Sequence, residues 1–143
     1  MTAYEYLSQA YLLDQLIQSK LMQIEKLKAL ASCKASFVSS DHPVVKRTWN
    51  TDVMEETVMK IIEAEKELDR KIDEMVDCKL KISRTIDMVE DAACRLILEK
   101  RYLLFETWDE IRIELNYSRC TVYRIHVKAL EAVQEKLSHF ETF

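Results

Sequence analysis

Between Met54 and Val89, the positions Met54, Val58, Ile61, Glu65, Leu68, Ile72, Met75, Lys79, Ile82, Ile86 and Val89 alternate spacings of four and three residues without a miss. A repeat of about 3.5 residues, held over roughly five heptads, keeps one stripe of a helix turned toward a partner, as in a coiled-coil seam. At about 1.5 Å per residue such a helix is on the order of 55 Å long. A globule of 143 residues cannot enclose it, so the seam must lie against another helix, from this chain or from a second copy.

The chain offers one candidate of its own. From Thr2 to Ala31 the apolar positions Leu13, Ile17, Leu21, Ile24, Leu27 and Ala31 follow helical spacing, with Lys20, Gln23, Glu25, Lys26 and Lys28 largely on other faces. Glu65 and Lys79 lie in the seam, and buried charges need partners. If the first helix folds back antiparallel with Ala31 near Met54, Lys20 falls opposite Glu65 and Lys79 near Glu5. The seam suits a second copy equally well, and both pairings together would make a bundle. A homo-oligomer through the 54–89 heptad helix is therefore expected. Between the two helices, residues 32–52 lose the pattern to serines, Asp41, Pro43 and the β-branched pair Val44-Val45, and read as a linker. Its bases Lys34, Lys46 and Arg47 are candidates for DNA phosphate contacts.

Composition agrees with a helical reading. There is no glycine and only one proline, Pro43, whereas sheets need turns and turns favour those residues. The expected fold class is all-α: a long N-terminal helical hairpin or coiled coil over residues 1–90, followed by a C-terminal three-helix head over 91–143. In that head, Asp91 to Phe105 reads as a supporting helix with Leu96, Ile97, Tyr102 and Leu103 in the core.

The stretch Thr107 to Leu137 then reads as two helices joined by a very tight turn. Thr107 and Glu110 stand in the S/T-x-x-E arrangement of a capping box, with Ile111 and Leu115 on one face of the helix that follows. The turn falls at Asn116-Tyr117-Ser118, where Asn tolerates a left-handed backbone and Ser118 caps the next helix. In that second helix Val122, Ile125, Ala129 and Leu130 form the buried side and leave Arg119, Thr121, Tyr123, Arg124 and Lys128 outside. A short helix, a tight turn and a helix with a basic leading end describe a helix-turn-helix.

The formal net charge is −4, which does not favour nucleic acid at the level of the whole chain. Its distribution is more informative. Residues 117–128 carry Arg119, Arg124, Lys128 and His126 with no carboxylate, while Asp109, Glu110 and Glu114 crowd the helix before them. A local basic edge on a mildly acidic protein fits site-specific DNA binding with weak non-specific binding.

At Leu96–Leu130 the sequence resembles region 4 of the sigma-70 family. The likeness rests on Arg101-Tyr102, on Thr107-Trp108-Asp109-Glu110-Ile111, on Leu115, on Ser118-Arg119, and on Ile125 with Lys128-Ala129-Leu130. With the long helical segment in front, the chain is similar to the sigma-70-region-4-like regulators of Gram-positive phages and prophages, the ArpU and RinA type. That resemblance implies a late transcriptional activator of packaging, morphogenesis or lysis genes. Three positions depart from the pattern: Asn116 replaces the usual turn glycine, Arg112 a small residue between the helices, and Cys120 a polar base-reading residue.

The expected function is therefore a sequence-specific transcriptional regulator that reads a major groove of double-stranded DNA with helix 118–137. Ser118, Arg119, Cys120, Thr121, Tyr123, Arg124 and Lys128 are the candidate DNA-binding residues, and host RNA polymerase is a further candidate partner. Two other readings stay open: a phage small-terminase-like assembly subunit, and a module that binds RNA polymerase without touching DNA.

Catalysis finds little support in the sequence. There is no glycine-rich phosphate loop, and His42, His126 and His139 lie far apart with no cysteine at ligand spacing. No enzymatic activity, metal or cofactor is expected. The N-terminus lacks a basic leader, no run approaches the roughly 18 apolar residues of a membrane helix, and Cys33, Cys78, Cys94 and Cys120 lack C-x-x-C pairing. Reduced thiols and a cytoplasmic location follow from that reading.

Overall fold

The computed structural model describes the backbone of residues 1–38 and 45–141, and the side chains of 1–33 and 54–141. The protein is all-α, with no strand among the described residues: α1 (Ala3–Val38), α2 (Val45–Asp87), α3 (Ala92–Leu98), a π-helical stretch Glu99–Leu103, α4 (Trp108–Leu115) and α5 (Arg119–Glu141). No described helix is long and apolar enough to cross a membrane. The linker expected over 32–52 is corrected at both ends, because α1 continues to Val38 and α2 begins at Val45, and its remaining part, 39–44, lies outside the described residues. Neither segment contains a helix breaker, so losing the apolar rhythm did not end the helices.

The described chain divides into two compact units, Met1–Asp14 with Glu74–Phe143, and Gln15–Asp73. The first unit therefore takes in more than residues 91–143. Leu7 and Ala10 of α1, with Ile82, Ile86 and Val89, share one buried core with Cys94, Leu98, Tyr102, Ala129 and Val133. At about 25 cal/mol per Å² of apolar surface removed from water, burial on this scale dominates the stability of so small a unit. Thr85 is the one buried polar residue among the described positions. Its Oγ1 donates to the Lys81 carbonyl at 3.1 Å and accepts from the Tyr6 hydroxyl at 3.0 Å, so both partners are satisfied.

The supporting helix departs from a regular α-helix. Asp91 caps α3 by accepting from the Ala93 and Cys94 N–H groups. After Leu98 the chain widens into the π-helical stretch, closed by Leu104 N–H to Glu99 O and Glu106 N–H to Lys100 O, each at 3.0 Å. Beyond it Phe105 takes a left-handed backbone with φ 57°, an uncommon state for an aromatic residue. Its ring is held at 5.6 Å from the Tyr11 ring and lies under the Lys79 ammonium at 4.7 Å. Cys94, Ile97, Leu98 and Tyr102 supply the core face of this segment, and Leu96, expected inside, is exposed.

Two expected charge pairings are corrected. In the Gln15–Asp73 unit, Ile17, Ile24, Ile61 and Leu68 are buried, and Glu65 pairs with Lys28 at 2.7 Å instead of Lys20. Lys28 lies about two helical turns beyond Lys20, so the register slides by that much. Lys79 does not meet Glu5 but covers Phe105, while Glu5 accepts from the Thr2 N–H at 2.8 Å.

Candidate nucleic-acid interface

The tight turn at residues 116–118 is built as its residues require. Thr107 Oγ1 accepts from Glu110 N–H at 3.2 Å and Glu110 Oε2 accepts from Thr107 N–H at 3.0 Å, which completes the capping box and starts α4. At the far end Asn116 adopts φ 60° and ψ 37°. Tyr117 N–H reaches back to Arg112 O and Asn116 N–H to Ile113 O, the paired bonds of a Schellman end. Ser118 then accepts from Thr121 N–H at 3.2 Å and opens α5. Ile111 of α4 and Val122, Ala129 and Val133 of α5 are buried, and Ala129 and Val133 join the core shared with α1, α2 and α3.

That packing turns Arg119, Cys120, Tyr123, Arg124 and Lys128 outward, with Ser118 exposed at the start and Thr121 half-buried at the edge. The Tyr123 side is open, at 71% exposure. At the margin facing α3, Lys128 Nζ lies 3.2 Å from Asp91 Oδ2. At the margin facing α4, an Arg119 guanidinium nitrogen is 3.9 Å from Asp109 Oδ1. Helical spacing puts Cys120, Arg124, Val127 and Glu131 near the middle of the outer face, flanked by Tyr123 and Lys128. Val127 and Glu131 were not singled out by the sequence. An apolar residue one turn beyond Tyr123 on a polar face was the available signal for Val127. The side chains of Lys34, Lys46 and Arg47 lie outside the described residues.

Beside this face, the π-helical stretch, α4, α5 and the first turn of α1 surround an open cleft of about 760 Å³. Arg101, Arg112 and Arg119 line it, with Trp108, Tyr123, Tyr4 and His126 as aromatic walls and Asp109 as the one carboxylate. The Arg101 guanidinium stacks on Trp108 at 4.8 Å from the ring centre and donates to Glu106 O at 2.9 Å. Arg112 does not reach clear of the helix crossing: its Nε is buried without a hydrogen-bond partner and lies 3.8 Å from Asp109 Oδ1.

His126 is no plain surface residue. Its Nε2 lies 2.7 Å from the Tyr102 hydroxyl, and its ring meets the Trp108 edge at 4.5 Å between centres. Burial, helped by the nearby Arg101 charge, pushes the imidazole down to about 4. Burial likewise pushes the Tyr102 hydroxyl up to about 12. Both groups are neutral at pH 7, so a single proton bridges them, supplied by the hydroxyl or by Nε2 according to the imidazole tautomer.

A family model for a protein of unknown function, DUF1492, matches residues 45–134. The chain belongs to the DUF1492 family. The match runs from the start of α2 through most of α5, so the whole Thr107–Lys128 stretch lies inside what DUF1492 describes, and α1 lies outside it. No curated protein and no solved structure matches the chain. Among the described residues of this DUF1492 protein, no group of three or more His, Cys, Asp or Glu side chains is arranged to hold a metal ion.

Proposed function

We propose that this DUF1492 protein is a sequence-specific DNA-binding transcriptional regulator in which α5 reads the major groove. The observation that carries the reading is the outer face of α5. From Ser118 to Lys128 it presents Arg119, Arg124, Lys128 and Tyr123 with no carboxylate, on a helix joined to α4 by a three-residue turn. A major groove admits one α-helix, and the leading residues of that helix meet the base edges. Arg119 and Arg124 are suited to guanine O6 and N7, while Cys120, Tyr123 and Val127 are suited to thymine methyl groups. Lys128, Ser118 and Thr121 would position the helix on phosphates. The acidic residues Asp109, Glu110 and Glu114 on α4 keep binding to arbitrary duplex weak.

The likeness of Leu96–Leu130 to sigma-70 region 4 supports promoter-linked regulation, and the ArpU and RinA type supports phage late genes in the bacterial cytoplasm. Val58, Ile62 and Ile72 of α2 stay exposed although other positions of the helix are buried, which supports a homo-oligomer through α2. Two paired heads would read half-sites about 34–36 Å apart, or a multiple of that.

Selection from a random duplex library, followed by titration on the enriched site, tests the reading. Arg119→Ala and Arg124→Ala are each expected to cost about 1–3 kcal/mol with helical content unchanged. No enriched sequence, or unchanged affinity in both variants, rejects it.

One observation favours a second reading, a module that binds RNA polymerase without DNA. Ile113 is 69% exposed on α4 beside Glu110 and Glu114, an apolar contact with an acidic rim. Polymerase capture lost in Ile113→Asp and kept in both arginine variants would select it.

A further inference from the structure

We infer that the cleft between α4 and α5 is a nucleotide-binding site, in which Arg112 and Arg119 hold a phosphate and the exposed ring of Tyr123 stacks on the base. The inference does not rest on DNA reading, since it concerns a free mononucleotide, but it shares Arg119 and Tyr123 with the face proposed to meet DNA, so the two ligands would compete for them.

Charge is the first ground. Three guanidiniums, of Arg101, Arg112 and Arg119, line the cleft against the single carboxylate of Asp109. The neighbouring His126 is neutral and already hydrogen-bonded to Tyr102, so it neither adds to this excess nor cancels it. An enclosure with surplus positive charge favours an anion.

Unfilled hydrogen-bonding capacity is the second. Asp109 Oδ1 lies 3.8 Å from Arg112 and 3.9 Å from Arg119, so one carboxylate oxygen is shared by two guanidiniums at distances too long for a hydrogen bond to either. The buried Nε–H of Arg112 has no protein acceptor within hydrogen-bond distance. Leaving a buried donor of a charged group unmade is costly, and sites that do so call for an explanation. A phosphate presents several acceptor oxygens and matches the fork of a guanidinium bidentately. It would supply the buried Arg112 Nε–H with the acceptor that Asp109 does not, while the exposed Arg119 guanidinium reaches the same anion.

The third ground is shape. The cleft volume of about 760 Å³ lies within the range of small-molecule sites. Trp108 forms one wall, but Arg101 already stacks on it. Tyr123 is 71% exposed and leaves its ring available. Stacking on such a ring tolerates any base, because every base has a π face. Guanidiniums suited to phosphate and a free aromatic ring lining the same cleft select a nucleotide over a bare anion or an apolar molecule.

The test uses the full chain carrying Trp49→Phe, so that Trp108 alone reports, titrated separately with ATP, GTP and inorganic phosphate. A saturable change in emission is expected with the mononucleotides, and inorganic phosphate should bind about tenfold or more weakly for want of a ring to stack. Arg112→Ala should weaken nucleotide binding at least about tenfold. Arg112→Lys, which keeps the charge and loses the fork, should also weaken it. Lys66→Ala, an exposed cation of the other unit, should change nothing. Circular dichroism on each variant separates lost binding from lost folding, and Arg112→Lys serves if Arg112→Ala unfolds.

Three results would overturn the inference. One is no saturable response to either mononucleotide at millimolar concentration, checked by equilibrium dialysis. Another is inorganic phosphate binding as tightly as ATP. The last is Arg112 variants that lose duplex DNA affinity while the wild type ignores mononucleotides, which would assign the cleft to a backbone phosphate.

Discussion

Lys128 Nζ lies 3.2 Å from Asp91 Oδ2, and the other oxygen of that carboxylate accepts from Ala93 N–H at 2.9 Å to cap α3. One carboxylate thus ties α5 to the start of the supporting helix. The Lys128 hydrogen bond, followed by the Ala93 and Cys94 N–H groups, holds the Asp91 carboxyl below its ordinary value. A carboxyl depressed on folding stabilises the fold above its unfolded value of about 3.9, and that stabilisation is lost as pH falls through the lower folded value. Melting temperatures measured between about pH 5 and pH 2 should therefore fall more steeply for the wild type than for Asp91→Asn, which keeps a capping oxygen and cannot titrate. Parallel curves would contradict the assignment. The same variant frees Lys128, so binding to arbitrary duplex at low salt should tighten if α5 docks on DNA.

His126 sets a second acid dependence of the same sign. Its folded value of about 4 lies below the ordinary histidine value of about 6.5, so the unfolded chain binds the extra proton first. Stability should decline as pH is lowered from about 6.5 toward about 4 and then level off on this account. Urea denaturation of the wild type and of His126→Gln measures the difference, with a flatter dependence expected in the variant. A resonance assigned to the His126 imidazole that titrates near pH 6.5 in the folded protein would refute it.

Asn116 carries the turn in a left-handed conformation with φ 60°. A residue with a Cβ and no local hydrogen-bonding group pays roughly 1–2 kcal/mol there. Asn116→Ala should therefore lower the unfolding free energy by about 1 kcal/mol, while Asn116→Gly should hold or raise it. Equal stabilities for the two variants in denaturant melts would mean that the turn does not depend on that backbone state.

Lys28 and Glu65 pair at 2.7 Å on a partly exposed surface. Exposed pairs of this kind contribute about 0.2–1 kcal/mol. A double-mutant cycle with Lys28→Ala and Glu65→Ala should return a coupling energy in that range, and the same cycle with Lys20 should return none. The opposite result would restore the Lys20 register.

Much of the candidate site was legible in the sequence because it is built from local interactions. The Thr107–Glu110 box, the left-handed Asn116 and the Ser118 cap each involve residues within a few positions of one another. The buried side of α5 at Val122 and Ala129 followed from helical spacing alone. The π-helical widening at Glu99–Leu103 was not legible, since no residue there breaks a helix and the strain at Phe105 is balanced by Tyr11 and Lys79 from elsewhere in the chain. Arg112 stands out in the sequence as too large for its place. That it lines a cleft with Arg101 and Arg119 depends on three separate elements meeting.

What the sequence alone determined is therefore the class of structure and the faces of its helices: all-α, two long helices, a three-residue turn, a basic outer edge on α5. A chain without glycine, with one proline and with apolar spacing kept without a miss from Met54 to Val89 has few other options. Only the tertiary structure decided the partners of charges such as Glu65, Lys79 and Lys128, and the cleft with its underpaired arginines. Spacing fixes which residues share a face, but the slide of one helix along another is chosen by how side chains fill the core between them, and that is a property of the whole fold.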